Sequence, residues 1–206
     1  MKAFLKQVQK LQWDDHRYYH QSRINQTLHL VSACSFLVAY GLLFVDPAAA
    51  GIIGWVVGMV TRQSGHMFFE PRSFDAVNGV TDAYKESIKV GYNMRRKAIL
   101  IGVWLGLPLM LLLWPSIFGL IEPAQDVGSY WHDVGLAWLG LGVGGVVLRS
   151  VYLFSVRGPA FGLAWAVKIV LDPFHNVAIY WLSPWALMKG ELLDPITSVC
   201  QQVMDK

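Results

Sequence analysis

The sequence predicts an all-α fold: a polytopic membrane helical bundle of four transmembrane helices plus a fifth broken, re-entrant or interfacial helical segment. Three observations carry this. Of 206 residues, 54% are hydrophobic and 15% charged, against about 25% charged in average chains. Mean hydropathy is +0.40. The apolar residues also fall in continuous runs of the length that crosses roughly 30 Å of hydrocarbon, about 20 residues at 1.5 Å each. Seventeen Lys+Arg against fourteen Asp+Glu leave a net charge of only +3, too little for a nucleic-acid-binding domain. Two cysteines, Cys34 and Cys200, make neither a disulfide framework nor a CxxC metal motif. No repeat, linker or low-complexity tract divides the chain, so residues 1–206 read as one integral membrane domain.

The elements follow in order. Residues 1–26 are mostly polar and form a cytoplasmic arm. The first apolar run comes too late for a cleaved signal peptide and reads as a retained anchor. Spans are expected over 27–45, 48–69, 99–121 and 134–156. The second carries Arg62, Gln63, Ser64 and His66 in its last third, and polar groups at membrane depth point to function. The segment 161–187 is apolar but interrupted by Lys168, Asp172, Pro173, His175 and Asn176. Proline removes a donor and clashes with the preceding turn, which predicts a break at Pro173. Residues 188–206 form a tail. Lys2, Lys6, Lys10, Arg17 and Arg23, and later Arg72, Lys85, Lys89, Arg95, Arg96 and Lys97, place the arm and the loop after span two on the cytoplasmic side. The links around Asp46 and from Glu122 to Asp133 have no Lys or Arg and belong outside.

This topology sorts the six histidines. His16, His20, His29 and His66 lie at one membrane face. His132 is in the outer loop and is excluded from any shared site. His16 and His20 are four apart, a spacing that lets two imidazoles share a helix face and a metal. His29 follows His20 by nine residues, half a turn out of phase at 100° per residue. Two helices meeting near Gln21, Ser22 and Arg23 are therefore needed to aim both at one ion, with Asn25 and His29 stacked on the second. Arg62, His66 and Glu70 recur at four-residue steps and make one polar stripe. One reading is that they satisfy one another. The other is that His66 binds a metal, that Glu70 orients a ligand imidazole from behind or joins the ligands, and that the Arg62 fork pairs an acyl carboxylate. His175 reaches the same face only if its segment re-enters or lies on the surface, and a Lys168–Asp172 ion pair is the alternative for its neighbours.

These residues carry a resemblance. The run from His20 through Asn25 to His29 fits His-x4-Asn-x3-His, and Gln63-Ser64-Gly65-His66-Met67-Phe68-Phe69-Glu70 fits Gln-x-Gly-His-x-x-Phe-Glu. Together they resemble the membrane 2-hydroxy fatty-acid dioxygenases of phytosphingosine degradation, first described in yeast. The match covers about residues 16–72. The family continues after its Glu with basic residues and Pro-Ala, whereas Pro71-Arg72-Ser73-Phe74 follows here. The resemblance implies an Fe(II)-dependent membrane oxygenase that uses O2 to shorten a 2-hydroxy fatty acid by one carbon. It places His20, His29 and His66 at the family's His positions and Asn25, Gly65 and Glu70 at its other motif positions; taken with the stripe, His20, His29, His66 and Glu70 are the expected catalytic group and Asn25 and Arg62 the expected substrate-binding residues. Metal ligands are expected among His16, His20, His29, His66 and His175. Imidazole alone does not select iron; the choice of Fe(II) rests on the resemblance.

Trp55, Phe68, Trp104 and Trp114 are candidate walls for an acyl tail. Six His are too few for a di-iron hydroxylase with paired motifs, and no HExxH is present for a zinc protease. The rival from another class is a non-catalytic lipid-binding or small transport protein with a structural His and charge cluster. The expected partners are the bilayer, a fatty-acid or other lipid substrate, O2 and, where the chain self-associates, copies of itself in a homo-oligomer. The expected location is the bacterial inner membrane, or the endoplasmic reticulum in a eukaryote, with the N-terminus cytoplasmic.

Overall fold

A computed structural model describes residues 2–70, 74–75, 78–89, 94–117, 119 and 122–194. Among them every regular element is helical. Helix α1 (Lys2–Tyr19) ends where the chain leaves helical geometry at His20, and α2 (Arg23–Leu42) begins after an N-cap at Ser22, whose hydroxyl accepts from the Asn25 amide. This is the joint that the His20-to-His29 spacing demands. A segment from far along the chain clips it: Arg23 N donates to Leu192 O (2.9 Å) and Asp194 N to Gln21 O (2.8 Å). The Asp194 carboxylate also takes Arg23 (3.1 Å) and the Gln26 amide (2.8 Å).

Asp46 caps the next helix through the Ala49 amide, with Pro47 in the first turn, where its missing N–H costs nothing. The rod then runs as α3 (Pro47–Ile53), a π-helical segment (Gly54–Met59) and α4 (Val60–Phe68). A π turn holds more residues than an α turn and so rotates everything after it relative to everything before. Before it, Gly51 meets Gly135 backbone to backbone, with no room for a Cβ on either, the close approach that small residues permit between membrane helices. Within it, Trp55 Nε1 donates to Trp138 O (2.5 Å). After it, α4 packs its His66 face on α2.

Helices α5 (Asp82–Ile88), α6 (Met94–Leu113), α7 (Val127–Arg157), α8 (Pro159–Tyr180) and α9 (Ser183–Met188) complete the order. Trp55, Leu111, Val134 and Trp138 form the apolar core where the rod, α6 and α7 meet. Among the described residues, two helices are long and apolar enough to cross a membrane, the Arg95–Leu113 stretch of α6 and all of α7. They correspond to the third and fourth expected spans with shifted bounds. The third ends at Leu113, because Trp114–Ile117 turns with Ile117 at φ 43°, and residues 118, 120 and 121 lie outside the described residues. The fourth starts early, at Val127, because Asp126 and Ser129 form a capping box.

The fifth segment departs from expectation. Helix α8 passes through Pro173 unbroken, and the division comes at Trp181–Leu182. The helix is held on its neighbours around the proline: it packs on α1, α2 and α7, Tyr40 Oη donates to Val170 O (3.1 Å), and a Lys168–Asp172 pair spans the preceding turn (2.5 Å). The arm also differs from a solvated tail. Helix α1 packs against α8 and buries Asp14, His16, Tyr18 and Tyr19. Of the expected tail, Lys189–Asp194 runs back to the α1–α2 joint, and 195–206 lie outside the described residues, as do Pro71, Arg72 and Ser73.

Candidate metal centre

Three elements each deliver one imidazole. The α1–α2 joint presents His20, the second turn of α2 presents His29, and α4 presents His66. They are 1%, 0% and 7% exposed. His20 Nε2 and His29 Nε2 lie 3.0 Å apart, and ring centroids are separated by 4.0 Å (His20–His29), 4.8 Å (His29–His66) and 5.3 Å (His20–His66). One ligand atom from each falls within 4.8 Å of the others, and this His20/His29/His66 group could hold a metal ion.

The proton positions favour a cation. His20 Nδ1 lies 3.0 Å from Asp15 O; a carbonyl only accepts, so Nδ1 carries the proton and Nε2 keeps its lone pair. Burial pushes the His20 pKa down to about 3, so the ring is neutral at physiological pH, as a ligand must be. His66 Nδ1 lies 2.7 Å from Glu70 Oε2, the carboxylate–histidine arrangement that fixes a ligand ring. Glu70 is itself held by Lys89 Nζ (2.9 Å) and Lys97 Nζ (3.2 Å). Burial draws Lys89 down to about 8 while Glu70 pulls the other way, and its ammonium sits 3.3 Å from the Tyr19 ring centroid. His29 Nδ1 is buried without a hydrogen-bond partner. With His29 protonated on Nε2 that ring donates to His20 and leaves its Nδ1 unsatisfied; with the proton on Nδ1 both Nε2 lone pairs face one another, an arrangement that fits a bound cation.

Asn25 holds this geometry from within. Its Nδ2 donates to Tyr19 O (2.7 Å) and the residue is 0% exposed. Here it braces the turn that carries His20, whereas the sequence reading expected it to contact substrate. Its Oδ1 lies against Gly65, where a Cβ would collide with it and press on His29. Gly65→Ala is expected to weaken metal binding by about tenfold or more, the scale of lost ligand orientation, in a competitive chelator titration. Unchanged affinity would mean that the Asn25–Gly65 contact does not shape the site.

Beside the three rings runs a buried lattice of charge. Lys168 Nζ contacts Asp15 (2.8 Å) and Asp172 (2.5 Å), and Arg62 Nη2 reaches Asp172 at 3.4 Å. Burial alone would raise the Asp15 carboxyl, but Lys168 and Arg62 hold it well below the usual carboxylate range. His16, expected as a ligand, lies 3.1 Å from Tyr180 Oη through Nδ1 and is not in the three-His group. Half-buried His175 does not join it either. His132 is exposed beside Asp133 (3.6 Å). Arg62 and Glu70 share the predicted stripe with His66 but separate in their contacts, Arg62 to α8 and Glu70 to two lysines. Trp55 and Trp104 stack at 5.8 Å in the interior, whereas Phe68 and Trp114 are 73% and 54% exposed.

Sequence reasoning missed Tyr180, whose ring is 5.8 Å from that of His20, the Asp15 carbonyl, and Lys89 and Lys97 behind Glu70. In the sequence the lysines read only as markers of the cytoplasmic side. Asp15 alone had a local signal, lying five residues before His20. No family model, curated protein or solved structure matches the chain.

Proposed function

We propose that the chain is an integral membrane oxygenase that holds one Fe(II) ion on His20, His29 and His66 and shortens a 2-hydroxy fatty acid by one carbon with O2. The observation that carries it is the convergence of three buried neutral imidazoles, two of them with Nδ1 protons anchored on oxygen. Bound Fe(II) would supply the redox chemistry that joins O2 to a chelated 2-hydroxy acid. The protein's own residues do the rest. Glu70 and the Asp15 carbonyl keep the His66 and His20 protons on Nδ1 and the rings in place. Arg62, whose contact to Asp172 is single and long, exchanges that carboxylate for the carboxylate of the substrate. In this reading α2 and the Pro47–Phe68 rod cross the membrane with α6 and α7, and the centre lies at the cytoplasmic face.

The test is metal analysis of detergent-purified protein by inductively coupled plasma mass spectrometry, wild type beside His66→Ala and His132→Ala. Near-stoichiometric iron in wild type and His132→Ala, lost in His66→Ala, is the expected result. Zinc in its place would redirect the reading to hydrolysis. The closed pairing of Arg62, Asp172, Lys168 and Asp15 is the observation that favours a second reading, a non-catalytic lipid-binding or transport protein, which predicts no metal in any of the three.

Orientation has its own test. In a protein with Cys34 and Cys200 replaced by Ser, a cysteine at exposed Glu86 is expected to react with a cytoplasmic-side thiol reagent and one at exposed Gln125 is not. The reverse pattern would turn the centre to the other face.

A further inference from the structure

We infer that the cleft between α4 and α6 seats a hydroxyl-bearing stretch of acyl chain, and that Gln63 is the residue that recognises its hydroxyl. This rests on the acyl-substrate reading above and deepens it. The cleft measures about 130 Å³ and is walled chiefly by Trp55, Met59, Met67, Leu100 and Trp104, with Gln63 and Ser64 its polar lining residues. That volume is close to the roughly 150 Å³ that accepts a benzene-sized guest, so it takes a segment of about six carbons and not a whole lipid.

Gln63 marks the occupant. It is 9% exposed, its Oε1 is buried without a hydrogen-bond partner, and its side-chain amide makes no hydrogen bond among the described residues. A native protein rarely leaves a buried carboxamide unsatisfied in an apolar wall. A group that brings hydrocarbon for the walls and a hydroxyl for the amide resolves both needs, since a hydroxyl donates and accepts and so suits either amide orientation. Location points the same way. Gln63 lies three residues before His66, about 60° around the helix at 100° per residue, so one turn of α4 carries both the cleft's amide and a ring of the three-His group. Its other wall is α6, one of the two helices apolar enough to cross a membrane, with Ile99 and Val103 outward and exposed. A chain drawn from the bilayer reaches the cleft along that helix.

The test uses metal-stripped full-length protein in detergent, with a diazirine-bearing palmitic acid as photoprobe and mass spectrometry to locate the label. Expected labels fall within 59–67 and 100–104. They disappear in Met67→Trp, which fills the cleft, and persist in Val147→Trp, which alters an exposed position on α7. In wild type, 2-hydroxypalmitic acid is expected to compete about fivefold better than palmitic acid, the scale of one neutral hydrogen bond, and Gln63→Leu is expected to erase the difference. Label spread over the outer helices and indifferent to Met67→Trp would overturn the cleft. An equal competition ratio in wild type and Gln63→Leu would overturn the role of Gln63. Iron content is measured separately, so loss of the metal reading and loss of the cleft are told apart.

Discussion

Lys168→Met is expected to lower the stability of the protein by about 3–5 kcal/mol, the cost of breaking a buried ion pair by removing one partner. Lys168 is 6% exposed and Asp172 2%, and the ammonium contacts both Asp172 and Asp15. Methionine keeps the length of the side chain and removes the charge, which leaves two carboxylates facing each other with Arg62 alone between them. Chemical or thermal unfolding in detergent measures the loss. Adding Asp172→Asn should restore part of it, because the double change removes one uncompensated charge, and additive losses would show that the two residues do not act as a pair. The effect should reach the metal centre too. Asp15, which Lys168 anchors, supplies the carbonyl that fixes His20.

Fe(II) added anaerobically to the metal-stripped protein at a hundred times its dissociation constant is expected to raise stability by about 2.7 kcal/mol. For a chain of this size that is a rise in Tm of roughly 5–10 °C. His29→Ala should abolish the rise, since it deletes the ring whose Nε2 faces His20 at 3.0 Å. His132→Ala should leave it intact, since His132 is an exposed residue beside Asp133. A rise that survives His29→Ala would place the ion elsewhere.

The part of this site that could be read in the sequence is the part set by local geometry. His20 and His29, nine positions apart, cannot face one ion from a straight helix, and Ser22 is a good N-cap, so the joint is legible in the sequence. Gly65 stands out only through the motif it shares with the resembled family; the Asn25 contact that requires it is made across the fold. Contacts made across the fold were not visible. The Arg62, His66 and Glu70 stripe shows that Glu70 can stand behind the His66 ring, as it does at 2.7 Å, but not that Arg62 reaches Asp172 or that Lys89 and Lys97 hold Glu70. Pro173 reads as a break because the helices that α8 packs on, α1, α2 and α7, hold it from positions the local sequence does not show. The polar arm gave no hint of packing on α8, since its buried face is built from Asp14, His16 and tyrosines and lacks an aliphatic stripe. The two most apolar helices were plain from composition, whereas their ends depended on a capping box and a turn.

The strand-like clip of Leu192 and Asp194 onto the His20 joint has a consequence for the order of events during synthesis. Ribosomes add about 5–20 residues per second, so roughly ten to thirty seconds separate the emergence of His20 from that of the residues that hold its turn. Through that interval, in the proposed reading, the apolar helices can already be entering the bilayer while His20, His29 and His66 are all made and the joint between α1 and α2 still lacks its clip. In the proposed reading, metal acquisition is then a late, post-insertion event. A nascent chain stalled before residue 192 should be found in the membrane fraction with its helices in place and its histidines empty.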